Sequence, residues 1–259
     1  MLEIPTISLP ATPVIEFGSF HITNSVLGTL LVSLALVLFC VLFRAKLKFI
    51  PGRFQSFVEM LVELFMTQLN SAWGNDEKAR KALPFILTIF IFLLIANQFS
   101  LIPLVTSVVQ EGTAVLRTPS SDLSLTITLA IVMILGSHIV AFVLNPVTHI
   151  GNYFKIHAFF KVRSIGDFFN ACIEFFLGFL DIVGEIAKVM SMSFRLFGNI
   201  FAGEVMGVII TALIAYVIPM PFILISAFSS VVQAFVFATL ALNFMAGIIQ
   251  SSQPAPQRA

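Results

Sequence analysis

The chain has 259 residues, 58% of them hydrophobic and only 10% charged, with a mean hydropathy of +1.03. Soluble domains carry about 25% charged residues, so a soluble fold is excluded. Lys and Arg number 14 against 13 Asp and Glu, a balance that supplies no field for nucleic acid or an acidic substrate.

Residues 1–24 contain Glu3, Glu16 and three prolines but no Lys or Arg, unlike a signal peptide, which needs a basic start. They read as a tail on the outer side. Residues 26–43 are uncharged and end at Arg44, Lys46, Lys48 and Arg53. At least ~18 apolar residues cross the ~30 Å hydrocarbon layer as a helix, and a basic cluster stays cytoplasmic. This is the first span.

Over 53–73, Phe54, Phe57, Val58, Leu61, Phe65 and Leu69 recur at helical spacing while Gln55, Glu59, Glu63, Thr67 and Asn70 share the other side. That pattern predicts an amphipathic interfacial helix, lying on lipid or on a partner protein. The second span is 83–106, with Pro84 at its start and Lys78, Arg80 and Lys81 before it. A loop bearing only Arg117 as a basic residue leads to the third span, 123–145, which stops at Asn145-Pro146. Lys155, Lys161 and Arg163 follow. Basic residues thus crowd alternate loops and place the N-terminus outside. Cys40 and Cys172 sit in apolar runs without CxxC spacing, which predicts buried free thiols rather than a disulfide or zinc site.

The segment 166–250 is apolar yet holds Asp167, Glu174, Asp181, Glu185, Lys188, Arg195 and Glu204. Asp167, Glu174, Asp181, Lys188 and Arg195 repeat at every seventh position, nearly two helical turns, so they form one slowly drifting stripe. Glu185 and Asn199 join it at spacings of three and four. A solvated surface helix would show a polar half, whereas this one is Phe, Leu, Ile, Val and Met elsewhere. Asp167 and Glu174 could snorkel to headgroups. Arg195 lies deep in apolar sequence, where a charge marks a water path or a partner. From Asp167 to Arg195 an ideal helix runs about 42 Å, which demands steep tilt. A second long segment, with Ser226, Ser229, Ser230 and Gln233 on one face, completes a tilted hairpin. The glycines at 198, 203 and 207 either bend the first helix or leave Glu204 facing a different space from Arg195.

The string Ser193-Phe194-Arg195-Leu196-Phe197-Gly198-Asn199-Ile200-Phe201-Ala202-Gly203-Glu204 resembles the signature of subunit a of the F-type rotary ATP synthase. The resemblance extends to Asp181, Glu185 and Lys188, to Gln233-Ala234-Phe235, to Asn97 and to Leu101-Ile102-Pro103. It implies an all-α polytopic membrane protein, a single membrane domain of about five embedded helices plus one amphipathic interfacial helix. It further implies a proton-translocating stator that offers two half-channels to a rotating c-subunit ring, with the peripheral-stalk b subunits and membrane lipid as other partners.

On that resemblance Arg195 is the essential arginine, Asn199 and Glu204 are polar positions near the ion path, and Gln233 faces the arginine. Asp181, Glu185 and Lys188 fall on polar positions upstream in the same helix. From the residues themselves, the acidic stripe that includes Glu174 belongs to the inner half-channel, and Glu204, Gln233 and the face from Ser226 to Ser230 form the outer one. Ser226 stands where many bacterial members carry histidine, and Val189 replaces a proline. A guanidinium keeps its proton at any working pH, so Arg195 can attract a carboxylate without donating to it.

No cofactor or metal is implied: there is no Gly-Lys-Ser/Thr phosphate loop, and the four histidines lack metal-pair spacing. His138 reads as a hydrogen-bonded packing residue. A proton-coupled secondary transporter would show two related halves, and a structural assembly subunit would need no ion path. The extended N-terminus, and Glu204 without a downstream carboxylate, favour a bacterial plasma membrane with the C-terminus cytoplasmic.

Overall fold

In the computed structural model the described residues are 13–17, 20–74, 76–101, 109–110, 113–114, 116–153, 165–214 and 219–251. The remaining positions, including most of the tail 1–24, the predicted span end 102–106, and Lys155, Lys161 and Arg163, lie outside them. Seven α-helices occur among the described residues: α1 (Asn24–Ala45), α2 (Arg53–Trp73), α3 (Asp76–Gln98), α4 (Leu123–Leu144), α5 (Pro146–Tyr153), α6 (Ile165–Leu213) and α7 (Pro219–Ser251). Five of them, α1, α3, α4, α6 and α7, are long and apolar enough to cross a membrane. The protein is therefore an all-α polytopic membrane protein. Two short antiparallel hairpins, Pro13–Phe17 with Phe20–Thr23 and Val109–Gln110 with Thr113–Ala114, sit at the same end of the bundle, before α1 and between α3 and α4.

The helix ends follow local chemistry. Thr23 caps α1 by accepting from the Val26 amide, and Asp122 caps α4 by accepting from the Ser124 amide at 2.9 Å, each satisfying an orphan donor of the first turn. Gly74 ends α2 at φ 61°, a left-handed conformation that glycine adopts without steric penalty. α3 differs from expectation: Pro84 lies inside it rather than at its start. The pairs Arg80–Asp76 and Lys81–Glu77, at 2.9 and 2.7 Å, extend a solvated turn ahead of the proline. The Pro84 carbonyl accepts the Thr88 hydroxyl at 2.6 Å.

Helix association inside a bilayer relies on close packing and small residues, because lipid is as apolar as leucine. The buried faces match that rule. α7 buries Ala234, Ala238, Ala241 and Ala246 among Phe237, Leu242 and Met245, while α3 contributes Ala82, Ile86, Phe90 and Leu93. From α6 the core receives Met192, Leu196 and Ile200, one turn apart, and from α4 Ala130 and Met133. α2 joins through Phe65 and Leu69, so only the second half of its apolar stripe enters the core. Phe54, near its start, meets Phe39 and Phe43 of α1 edge-on.

The expected long hairpin is present. α6 is one unbroken helix of 49 residues, about 73 Å at ~1.5 Å per residue, more than twice the ~30 Å core. It must lie steeply tilted or extend past the hydrocarbon. Its glycines do not interrupt it. The cysteines depart from expectation: Cys40 and Cys172 are free but exposed, because α1 and the first half of α6 turn most of their surface outward, toward lipid rather than toward the core.

Candidate functional site

α6 carries the ionisable residues, and each neighbouring helix selects which of them is covered. Arg195 is exposed, about 100° around α6 from the centre of the face that buries Met192, Leu196 and Ile200, and its Nη2 donates to the Ser191 hydroxyl one turn back at 3.3 Å. This guanidinium faces outward among Phe194 and Met190, which are also exposed, and among the described residues the Ser191 hydroxyl is the partner seen for it, which carries no opposing charge. An external carboxylate would meet it directly.

One turn further on, Asn199 locks α6 to α7. The Ser229 hydroxyl donates to Asn199 Oδ1 at 2.9 Å, and Asn199 Nδ2 donates to the Ser229 carbonyl at 3.5 Å. Another turn on, Gly203 faces Ser226, whose Oγ would stand 2.7 Å from a Cβ at that position. The two helices run antiparallel, so moving one turn back from Asn199 and one turn on from Ser229 brings Arg195 level with Gln233. Gln233 is buried, so the two share a height but not an exposure. Ser230 is buried, and its carbonyl accepts from Asn97 at 3.2 Å, while Gln98 donates to the Ala227 carbonyl at 3.1 Å. α3 is thereby stitched to the same stretch of α7.

The close approach at Gly203 has a testable consequence. Gly203→Val should force the helices apart and cost about 1–3 kcal/mol through overpacking, seen as a lowered thermal midpoint of the purified protein. Ser226→Gly should recover part of that loss. Equal destabilisation with and without the second change would show that the contact does not limit helix approach.

Glu204 faces a different environment. Its polar neighbours are Thr118, Ser121 and Arg117, from the connection between α3 and α4. Arg117 itself holds that connection in shape, donating from Nε to the Ser121 hydroxyl at 3.0 Å and from Nη2 to the Ser121 carbonyl at 3.2 Å. Thr118, Ser120 and Ser121 are buried. α1 packs on the same turn at Gly28, where a Cβ would collide with the Arg117 carbonyl oxygen.

At the other end of the site, Glu185 and Lys188 meet the connection between α4 and α6. Lys188 Nζ donates to Glu185 Oε1 at 2.7 Å and lies 5.2 Å from the Phe244 ring centroid. Tyr153 of α5 donates to the same carboxylate at 3.4 Å, and burial holds its phenol well above the ordinary range, so it stays protonated. His138 Nε2 is 3.7 Å from Glu185 Oε2, and His138 Nδ1 is 3.3 Å from His149 Nε2. Asp181 and Glu174 are exposed on α6. Glu174 lies about three turns before Glu185 and is not drawn into this cluster.

Arg117, Thr118, Ser121, His138, His149 and Tyr153 did not stand out in the sequence as site residues. Each lies more than thirty positions from its α6 partner, and only the helix packing brings them together.

Residues 26–246 match the family model described as ATP synthase A chain. Among curated relatives, ATP synthase subunit a 1 of Hahella chejuensis is 28% identical over 256 residues, 95% of this chain and 93% of the relative. The chloroplastic ATP synthase subunit a of Oedogonium cardiacum is 30% identical over 230 residues, covering 87% of this chain and 82% of its own length. ATP synthase subunit a of Moorella thermoacetica is 29% identical over 236 residues, covering 91% and 95%.

Proposed function

Since the chain belongs to the ATP synthase A chain family, we propose that it is the proton-translocating stator of the membrane sector, with an arginine gate between two half-channels. The observation that carries this reading is the arrangement along α6. Glu185 and its partners lie ten residues before Arg195, about 15 Å along the helix, and Glu204 and its partners nine residues after, about 13 Å. The two clusters draw on connections at opposite ends of the bundle, and between them stands one outward-facing permanent charge.

The outer half-channel runs past Glu204, Asn199, Ser226 and Ser230, with Gln233 at the level of the arginine. The inner one runs past Asp181, Glu185 and Lys188, with Glu174 toward its mouth. The exposed face of α6 at Arg195 receives the c-subunit ring, whose carboxylates load from one cluster and unload to the other. Arg195 favours the ionised carboxylate and, by its fixed positive charge, bars direct proton passage between the clusters. The peripheral-stalk b subunits are the other protein partners.

The N-terminus lies outside and the C-terminus in the cytoplasm of a bacterial plasma membrane. Arg44, Lys46, Lys48, Arg53, Lys78, Arg80 and Lys81 gather where α1 ends and α3 begins, against Arg117 alone between α3 and α4, which supports that orientation.

Side-specific labelling tests the two half-channels. With Cys40 and Cys172 replaced by alanine, Ser226→Cys should react with a membrane-impermeant thiol reagent added outside, and Asp181→Cys with the same reagent added on the cytoplasmic side. Reaction of both from one side would overturn the arrangement.

A further inference from the structure

Three side chains that the proposed ion path does not require, His138, His149 and Tyr153, adjoin Glu185. Among the described residues, Glu185 Oε2 and His149 Nδ1 are buried atoms without a hydrogen-bond partner. Between them lies a series of proton-exchangeable atoms with one gap wider than a hydrogen bond: Glu185 Oε2, then His138 Nε2 at 3.7 Å, then His138 Nδ1 across the ring, then His149 Nε2 at 3.3 Å, then His149 Nδ1, and a shift of about half an ångström closes that gap. The three rings of His138, His149 and Tyr153 pack edge-on or tilted against one another, with centroids 5.3 to 5.6 Å apart. That packing holds the two imidazoles against each other at an interplanar angle of 51°. A histidine pair serving only to fill space would not need to present both nitrogens of the central ring to titratable partners.

We propose that His138 and His149 form a proton relay joining Glu185 to the aqueous phase beside α5. The relay rests on the half-channel reading above and extends it, giving the inner path a branch through α4 and α5 rather than along α6 alone.

The transfer balances without any further reactant. A proton on Glu185 Oε2 passes to Nε2 of neutral His138, leaving the carboxylate. The imidazolium then gives its Nδ1 proton to Nε2 of His149, and His149 gives its own Nδ1 proton to a water entering beside the buried, unpartnered Nδ1, the kind of orphaned atom an internal water satisfies. Both rings return to neutrality with the tautomer exchanged, and ring rotation resets them. Passage in the opposite direction reverses each step.

The surrounding charges suit this task. Lys188 holds Glu185 Oε1 at 2.7 Å and Tyr153 donates to the same oxygen, which leaves Oε2 to face His138. Asp181, on α6, contributes negative charge near Tyr153. α7 contributes the Phe244 ring beneath Lys188 rather than another charge. Burial, together with the neighbouring His138, holds His149 below the usual imidazole range, with Glu185 opposing. His149 is therefore neutral near pH 7 and able to accept. Acidifying the cytoplasmic side below that depressed value fills His149 with a standing proton, and flux through the relay falls.

The test uses the assembled complex in inverted membrane vesicles, reading ATP-driven acidification and passive proton conductance against cytoplasmic-side pH. His138→Gln and His149→Gln keep hydrogen-bonding capacity but cannot carry the proton. Each should slow flux roughly tenfold, less than the ~10²-fold or more that loss of a sole positioned acid–base group costs, because the path along α6 remains, and His149→Gln should lose the fall in flux at acidic pH. In His149→Ala, imidazole added on the cytoplasmic side should restore flux, a response that a merely structural histidine would not give.

Wild-type flux and an unchanged pH profile in both glutamine variants would overturn the relay, and so would slowed flux that imidazole leaves untouched. Arg195→Lys, run alongside, separates the two levels of argument. If it pumps normally, the half-channel reading itself fails. If it is inactive while the histidine variants pump normally, only the relay fails.

Discussion

Arg195→Ala should abolish ATP-driven proton pumping and, at the same time, raise passive proton conductance across the membrane sector. The two effects share a cause. With the guanidinium gone, nothing favours the ionised ring carboxylate at the crossing between the clusters around Glu185 and Glu204, so rotation loses its coupling. The positive charge that, in the proposed gate, keeps protons from crossing directly is lost as well. One preorganised charge or donor at a site of changing charge is worth about 10²–10³-fold in rate, so coupled pumping should drop by at least about a hundredfold.

Assembly should survive, because Arg195 is exposed and its hydrogen bond to Ser191 stays within its own helix, while the residues that bind α6 to the bundle are Met192, Leu196 and Ile200. Arg195→Lys keeps the charge but shortens its reach and loses the planar fork. It should also fail to pump, with a smaller leak than the alanine variant. Copurification of the full complex with each variant separates these outcomes from loss of assembly. Full pumping by either variant would refute the gate.

The legible part of this protein was the part that depends on neighbours in sequence. The five spans follow from runs of apolar residues, α2 from a period of 3.6, and the long hairpin from a heptad of charges that no soluble helix would pair with so many phenylalanines. Arg195 was legible for the same reason, as a charge where apolar sequence surrounds it on both sides. Pro84 misled because the charged turn before it forms its own ion pairs and carries the helix start upstream into water. The cysteines misled because apolar neighbours mark burial in a soluble protein, whereas here they mark lipid-facing surface as often as core. The companions of Glu185 and Glu204 were illegible for a different reason. His138, His149, Tyr153, Thr118 and Ser121 acquire their meaning only when α4, α5 and the turn before α4 pack on α6, and no local pattern encodes that packing.

Glu204→Gln should slow pumping by about a hundredfold, the low end of what removing a positioned acid–base group costs, without opening a leak. Glutamine preserves the shape and can still hydrogen-bond with Thr118 and Ser121, which adjoin this position, so the fold and the approach of α6 to α7 at Gly203 should be retained. Only the exchangeable proton is lost. The contrast with Arg195→Ala is in the sign of the passive conductance, which falls or stays unchanged for the glutamate and rises for the arginine. That contrast makes the double variant informative. If protons leaking past position 195 in Arg195→Ala reach it through the outer cluster, adding Glu204→Gln must suppress the leak as well as the pumping. A leak of undiminished size in the double variant would mean that protons enter by a route that avoids Glu204, and the outer half-channel would have to be moved elsewhere on α6.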